Sequence, residues 1–128
     1  PEDALRFATD TGVDALAVAV GTAHGLFKEE PHLDFDRLQE IDDHVTTPLV
    51  LHGSSGVPDE AIRRAVARGV RKINIDTELR QAFAVAIRDY QRDHPTEIDP
   101  RKILAPGREA IQAKVQEKIR LFGSAGAA

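Results

Sequence analysis

The sequence contains no cysteine, no methionine and no tryptophan, and aromatic residues make up only 5% of it. The absence of cysteine excludes disulfide bonds and thiolate chemistry, so any metal ligand must be a histidine or a carboxylate. No apolar run approaches the length of a membrane span, and the net charge of −4 gives no reason to expect nucleic acid as a partner. The chain has 128 residues and is 41% hydrophobic, which is enough for one globular domain.

Apolar runs of strand length alternate with segments of helical periodicity along the chain. We predict strands at Asp14–Val20, Leu49–Leu51 and Val70–Ile75, because continuous apolar runs are typical of strands buried on both faces. Helices are predicted between them, and a last helix over Arg108–Phe122 is predicted to begin only after Pro106. This alternation predicts an α/β fold with a parallel sheet and no linker that divides the chain.

Two of the predicted strands end in histidine followed by glycine. His24 and Gly25 follow the first strand, and His52 and Gly53 follow the second. The carboxyl ends of parallel strands meet at one edge of the sheet, where α/β proteins place their chemistry. A neutral imidazole is a good zinc ligand, but catalytic zinc commonly uses three protein ligands and a third is missing here. The alternative is that each histidine packs at its strand end and bonds to the backbone, and the residues leave both interpretations open.

Small and polar residues follow the second and third strands at the same predicted edge. The segment Gly53-Ser54-Ser55-Gly56 precedes a helix that begins near Pro58, so its backbone amides can face an anion. An ordinary strand-to-helix loop has the same composition. The segment Asn74-Ile75-Asp76-Thr77 either directs Asn74 and Asp76 into the crevice, toward a phosphate and a sugar hydroxyl, or caps the next helix.

Together these segments resemble the class II, zinc-dependent ketose-bisphosphate aldolases, which include the fructose- and tagatose-bisphosphate aldolases. The resemblance is carried by Asp14–Gly25, Pro48–Gly56 and Lys72–Leu79, and Asp99–Arg101 and Phe122–Ala125 fit the family's tail. The family is a (β/α)₈ barrel, and such barrels need about 250 residues. We therefore expect residues 1–128 to be the C-terminal portion of a single barrel domain, about three βα units plus C-terminal helices, and an incomplete copy of a longer protein.

The resemblance also implies the site residues. It makes His24 and His52 two of three zinc ligands, implies Zn²⁺ as the cofactor, and allows a monovalent cation beside it. No catalytic residue is expected in this segment, because the third histidine and the aspartate that transfers the proton belong to an earlier strand. The positions that match contacts to the phosphorylated ketose are Gly25, Gly53, Ser54, Ser55, Asn74, Ile75, Asp76 and Thr77.

The implied activity is that of a lyase. The intact protein is expected to cleave a ketose 1,6-bisphosphate into dihydroxyacetone phosphate and an aldehyde phosphate, and to catalyse the reverse aldol addition. Whether the ketose is fructose or tagatose stays open. The segment Asn74–Thr77 is closer to the fructose-type motif, whereas Ala19–Gly25 is closer to the tagatose type. The resemblance further implies a cytoplasmic homo-oligomer in carbohydrate metabolism such as glycolysis, with this segment inactive alone.

Two other functions are compatible with the residues. The first is a non-catalytic α/β module that binds phosphate or a sugar phosphate, because the segment lacks the third histidine and the proton-transfer aspartate. The second is a phosphosugar isomerase or epimerase on the same barrel, which would need an acid/base carboxylate that this segment does not show.

Overall fold

The computed structural model of the protein describes residues 1–22 and 32–127. Within them the chain forms two compact units, Pro1–Ile75 and Asp76–Ala128. The helices and strands are, in chain order, α1 (Glu2–Thr11), β1 (Leu16–Ala17), α2 (Phe35–His44), β2 (Leu49–Leu51), α3 (Asp59–Ala67), β3 (Val70–Ile73), α4 (Thr77–Asp93) and α5 (Pro100–Leu121). None of the helices in this part of the chain is long and apolar enough to cross a membrane.

The first unit is built around a parallel sheet with the strand order β1-β2-β3. The central strand β2 is buried along its whole length, with Leu49 and Leu51 at 0% exposure and Val50 at 5%. A strand covered on both faces must be apolar at every position, which is why this run does not alternate with polar residues. The prediction of a strand at Leu49–Leu51 is therefore confirmed.

The two outer strands are shorter than the sequence predicts. β1 has two residues rather than the predicted Asp14–Val20, and β3 ends at Ile73 rather than Ile75. Because β2 is only three residues long, it offers few backbone partners to its neighbours. Val20 is buried at 1% exposure, but its carbonyl accepts a hydrogen bond from the amide of Asp34 at 3.0 Å. Val20 thus lies in the core beyond the end of the ladder, whereas Ala17 and Ala19 are exposed.

The second unit is a pair of packed helices, α4 and α5. α5 begins at Pro100 and continues through Pro106, so the prediction that this helix begins after Pro106 is wrong. Pro100 sits in the first turn, where its missing amide costs nothing, and Asp99 caps the helix by accepting from the amide of Arg101 at 2.9 Å. The cap and the 22-residue length of the helix outweigh the one internal hydrogen bond that Pro106 removes.

The contact between α4 and α5 is close at one glycine. Gly107 is buried in α5, and a Cβ atom there would lie 2.6 Å from two ring atoms of Phe83 and 2.9 Å from Cδ1 of Ile87. The helical spacing in the sequence predicts that Ile111, Val115, Ile119 and Phe122 face inward, and this prediction fits the contact only in part. Val115 and Ile119 are 38% and 41% exposed. The inward row instead includes Lys118, which is buried.

Candidate functional site

The candidate site lies at the carboxyl edge of the sheet in the first unit. β2 delivers His52 there, half-buried and directly after the buried strand. The backbone carbonyl of His52 accepts a hydrogen bond of 2.6 Å from the hydroxyl of Thr22. Thr22 precedes His24 by two residues in the sequence, so the segment that leads to the first histidine is anchored on the second.

Asn74 reaches the same edge from β3. The pairing Leu51↔Ile73 places the next residue of each strand, His52 and Asn74, opposite each other. The amide of Asn74 donates to the carbonyl of Leu51 at 3.1 Å, which extends the pairing by one residue beyond the strand. The side-chain Nδ2 of Asn74 lies 3.0 Å from Nε2 and 3.3 Å from Nδ1 of His52. The predicted meeting of these two strand ends is thus present in the structure.

Lys72 adds a cation to this pair. Its ammonium donates a short hydrogen bond to Oδ1 of Asn74, so the side-chain amide of Asn74 lies between Lys72 and His52. Lys72 and Asn74 are two residues apart on one extended segment and therefore face the same side of the sheet.

The loop after His52 is compact and turns back onto the strand. Gly53 and Gly56 have φ angles of 63° and 85°, a left-handed conformation that side chains rarely adopt. Ser54 and Ser55 are buried at 1% and 5% exposure. The hydroxyl of Ser54 points to the carbonyl of Leu51 at 3.5 Å. These residues form a tight, mostly buried turn next to His52.

The helix that follows this loop begins with two carboxylates. Its first residues are Asp59 and Glu60, and its N-cap is Pro58, which makes no side-chain capping bond. Acidic side chains in a first turn are favoured by the helix dipole. An anion at this helix end would meet two like charges, so amides earlier in the loop, near Gly53, are the better donors.

The remaining two predicted ligands belong to the second unit. Asp76 occupies the N-cap position of α4, and Thr77 is the first residue of the helix. The side chain of Asp76 makes no capping bond, and instead accepts a hydrogen bond of 2.8 Å from Nε of Arg80. Its carboxylate is 69% exposed. Ile75, the residue before it, is half-buried at the end of the first unit.

Two of the predicted residues, His24 and Gly25, lie outside the described residues. Among residues 1–22 and 32–127, no three histidine, cysteine, aspartate or glutamate side chains cluster closely enough to hold a metal ion. The imidazole of His52 suits one zinc ligand, because ring nitrogen is a donor that zinc prefers.

Sequence reasoning missed two of the residues that shape this edge. Thr22 was passed over because a hydroxyl in a loop has many interpretations, and its bond to His52 depends on how two distant segments pack. Lys72 has no distinctive signal of its own, since a lysine on a short strand is typical of a solvated face. Its spacing of two residues from Asn74 was the available signal.

A parallel sheet whose strand ends carry the polar residues, with helices between the strands, defines the C-terminal part of a (β/α)₈ barrel. Residues 1–127 match the sequence profile of the family described as Fructose-bisphosphate aldolase class-II. The chain belongs to that family.

Three proteins illustrate the match. The sulfofructosephosphate aldolase of Alkalicoccus urumqiensis is 49% identical over 123 residues, which are 96% of this chain and 43% of that protein. The crystal structure of the YdjI aldolase from Escherichia coli K12 matches with a TM-score of 0.86 and 41% identity, over 100% of this chain and 46% of that one. A putative fructose-1,6-biphosphate aldolase from Coccidioides immitis matches with a TM-score of 0.87 and 28% identity, over 99% of this chain and 44% of that one. The chain spans less than half the length of each relative.

Proposed function

We propose that the protein containing this chain catalyses the zinc-dependent, reversible aldol cleavage of a phosphorylated ketose. The observation that carries the proposal is the meeting of His52 and Asn74 at the carboxyl edge of the sheet, in a chain of an aldolase family. An imidazole that can bind a metal and an amide that can bind a carbonyl or hydroxyl oxygen suit the polar centre of a ketose.

His52 is proposed as one zinc ligand and His24 as the second. The hydroxyl of Thr22, two residues before His24 in the sequence, donates to the carbonyl of His52, which supports a shared site. A bound zinc ion supplies Lewis-acid polarisation of the ketone. The third histidine and the aspartate that moves the proton are proposed to come from strands of the barrel outside this chain.

The proposed ligands of the ketose divide by chemistry. The backbone amides of Gly53 and Gly25 suit a phosphate, since a Gly-rich loop leaves amides accessible. The hydroxyl groups of Ser55 and Thr77 suit a phosphate as well. Asn74 suits a ketone or hydroxyl oxygen, and the exposed carboxylate of Asp76 suits sugar hydroxyls rather than a phosphate dianion. The full proposed set is Gly25, Gly53, Ser54, Ser55, Asn74, Ile75, Asp76 and Thr77. Ser54 and Ile75 are proposed to contribute through their backbone, because the Ser54 side chain is buried and Ile75 is apolar.

The identity of the ketose has three candidates. Fructose and tagatose bisphosphates follow from the sequence motifs, and a sulfofructose phosphate follows from the named activity of the relative with 49% identity. We propose that this chain binds the phosphorylated end that these ketoses have in common. Measuring kcat/KM for the three compounds with the full-length protein ranks them.

The decisive test of the function is His52→Ala in the full-length protein. We expect loss of tight zinc binding and of aldol cleavage, measured as zinc stoichiometry and as release of dihydroxyacetone phosphate. His44→Ala is the matched control, because His44 is an exposed histidine of α2 that bonds to the carbonyl of Glu40. Unchanged zinc stoichiometry in His52→Ala would remove His52 from the ligand set.

A non-catalytic sugar-phosphate module is the alternative that this experiment separates. Such a module would bind phosphorylated ketose without zinc and would release no dihydroxyacetone phosphate. Aldol cleavage by the full-length protein that stops on chelation and returns on addition of Zn²⁺ contradicts that alternative.

A further inference from the structure

Three side chains form a connected row across two strands. Lys72 and Asn74 project from the same side of β3 and its extension, and Asn74 lies opposite His52 in the sheet register. The row ends at the imidazole that the proposed function assigns to zinc. Lys72 is exposed in the described part of the chain.

The chemistry of Lys72 fixes the orientation of the amide beside it. An ammonium group donates hydrogen bonds and accepts none, so it selects the oxygen of the Asn74 side chain. The NH₂ group of that amide must then face His52. Without the cation, the two ends of an amide are nearly the same in shape, and either one can face the ring.

The position of Asn74 fixes the tilt of the imidazole. Its Nδ2 is nearly equidistant from the two ring nitrogens, at 3.0 and 3.3 Å. A hydrogen bond along the lone pair of one nitrogen would leave the other much farther away. The NH₂ group therefore lies across the face of the ring, a contact in which N–H groups favour aromatic π electrons. Such a contact restrains the ring plane without occupying the in-plane direction of either nitrogen.

We propose that Lys72 is a positioning residue for His52, acting through the side-chain amide of Asn74. It holds the amide so that its NH₂ group faces the imidazole and keeps the ring in the plane needed to bind a metal. The inference rests on the proposed function, since it assigns to Lys72 a role toward the zinc ligand His52. Outer partners that orient a metal-binding histidine typically change metal affinity by about 10- to 100-fold.

The test compares Lys72→Met with Arg71→Met in the full-length protein. Arg71 is the matched control, because it is an exposed cation of the same strand, adjacent in sequence and on the opposite side, bonded to the carbonyl of Val66 at 3.4 Å. We expect Lys72→Met to raise the dissociation constant for Zn²⁺ about 10-fold, measured by competition with a chromophoric chelator. Arg71→Met is expected to leave it unchanged, although it removes the same charge.

Two further readouts separate positioning from folding. The ¹⁵N resonances of the His52 ring in metal-free protein are expected to shift in Lys72→Met and not in Arg71→Met, at equal melting temperatures. Lys72→Arg, which keeps a donor-only cation, is expected to recover most of the zinc affinity. If Lys72→Met binds zinc as the natural protein does while His52→Ala does not bind it, the positioning role is wrong and the proposed function stands. If His52→Ala also binds zinc normally, the proposed function itself fails.

Discussion

Asp76 presents its carboxylate to Arg80, one turn farther along α4, rather than to the amides of the first helical turn. Both side chains are well exposed, at 69% for Asp76 and 78% for Arg80. Exposed pairs of this kind contribute little to stability, because water screens the charges and both side chains lose freedom. The structure thus gives Asp76 no strong stabilising role, which leaves the proposed contact with a sugar hydroxyl as its main contribution.

Asp76→Ala in the full-length protein separates these roles. We expect kcat/KM for the ketose to fall about 10-fold or more, since a hydrogen bond to a charged group contributes about 1.5–3 kcal/mol. Inorganic phosphate binding and the melting temperature are expected to stay unchanged. Arg80→Ala is the control, because it removes the same ion pair and keeps the carboxylate. Equal losses in the two variants would show that the pair, and not contact with substrate, is what matters.

At the residue scale the sequence predicted that His52 and Asn74 lie at one edge of a parallel sheet, and the structure places their side chains 3.0 Å apart. It did not predict the bond of Lys72 to Asn74 or of Thr22 to His52. The first joins two neighbours on the same side of one strand, and the second depends on a loop that packs across the sheet. Only the first has a local sequence signal, which is the spacing of two residues between Lys72 and Asn74. The roles given to the individual ligands remain predictions.

Among the elements, α5 is held at its beginning by two carboxylates. Glu97 accepts hydrogen bonds from the ammonium of Lys102 at 2.9 Å and from the backbone amides of Asp99 and Ile98. The bond from Lys102 is the main cause that lowers the pKa of Glu97, and bonds from Arg101 lower the pKa of Asp99. A carboxyl group whose pKa is lower in the folded than in the unfolded state stabilises the fold at pH values above its unfolded-state pKa. This contribution is lost as the pH falls through the folded-state pKa.

We therefore predict that the first turn of α5 loosens on acidification, below about pH 4, where unfolded carboxyl groups begin to bind protons. The backbone amide chemical shifts of residues 98–103, followed by NMR from about pH 6 to about pH 2, report the transition. Glu97→Gln combined with Asp99→Asn is expected to remove most of the pH dependence. The same titration in Glu109→Gln, an exposed carboxylate farther along α5, is expected to match the natural protein.

The two helices of the second unit are joined by an ion pair that is mostly buried. Nζ of Lys118 lies 2.7 Å from Oε2 of Glu78, with side-chain exposures of 9% and 18%. Glu78 lies in the first turn of α4 and Lys118 in the last turn of α5, so each charge also suits the helix dipole at its position. The pair therefore fixes which end of α5 lies beside the start of α4.

Breaking this pair from one side is predicted to be costly. Lys118→Met and Glu78→Gln are each expected to lower the free energy of unfolding by about 3 kcal/mol, because each removes the opposite charge beside a mostly buried charge. The double variant Glu78→Leu with Lys118→Met is expected to recover much of that loss. Urea denaturation measures all three, and Glu117→Gln, from an exposed pair on α5, serves as the control. Additive losses in the double variant would contradict the coupling.

Element types were more predictable than their ends. A fully apolar run such as Leu49–Leu51 indicates a buried strand without knowledge of its neighbours. The end of β1 depends on where Val20 finds its backbone partner, which is the amide of Asp34. The start of α5 depends on whether the hydrogen bond lost at Pro106 costs more free energy than the helix and its cap contribute. The 22-residue helix with its Asp99 cap contributes more than Pro106 costs. The ends of these elements are therefore decided by packing and capping together.

At the scale of the whole molecule, the described sheet ends in β1 on one side and β3 on the other. Outer strands carry backbone groups that pair with further strands, and in a closed barrel every strand has two neighbours. We predict that residues 1–128 expressed alone release no dihydroxyacetone phosphate from any of the three ketoses. The full-length protein assayed in parallel is the positive control. Activity from the short chain would contradict the proposed need for an upstream aspartate and histidine.

The predicted homo-oligomer also belongs to this scale. Apolar side chains of α5 are exposed in the described residues, with Leu104 at 50%, Val115 at 38% and Ile119 at 41%. Rows of apolar side chains on a helix usually pack against another surface. We predict that the full-length protein sediments as a dimer or larger at micromolar concentration and that Val115→Glu with Ile119→Glu weakens the assembly. A strict monomer before any substitution would exclude the prediction.

The close approach of Gly107 to Phe83 has a consequence for how this family varies. A side chain at position 107 requires the Phe83 ring and Ile87 to shift or position 83 to become smaller, because a Cβ atom would lie 2.6 Å from the ring and 2.9 Å from Cδ1 of Ile87. Across natural relatives, the two positions should therefore change together. An alanine or serine at 107 should accompany a leucine or smaller residue at 83, and a phenylalanine at 83 should accompany glycine. The residue at either position thus restricts which residues the other can take, although the two are 24 positions apart in the sequence.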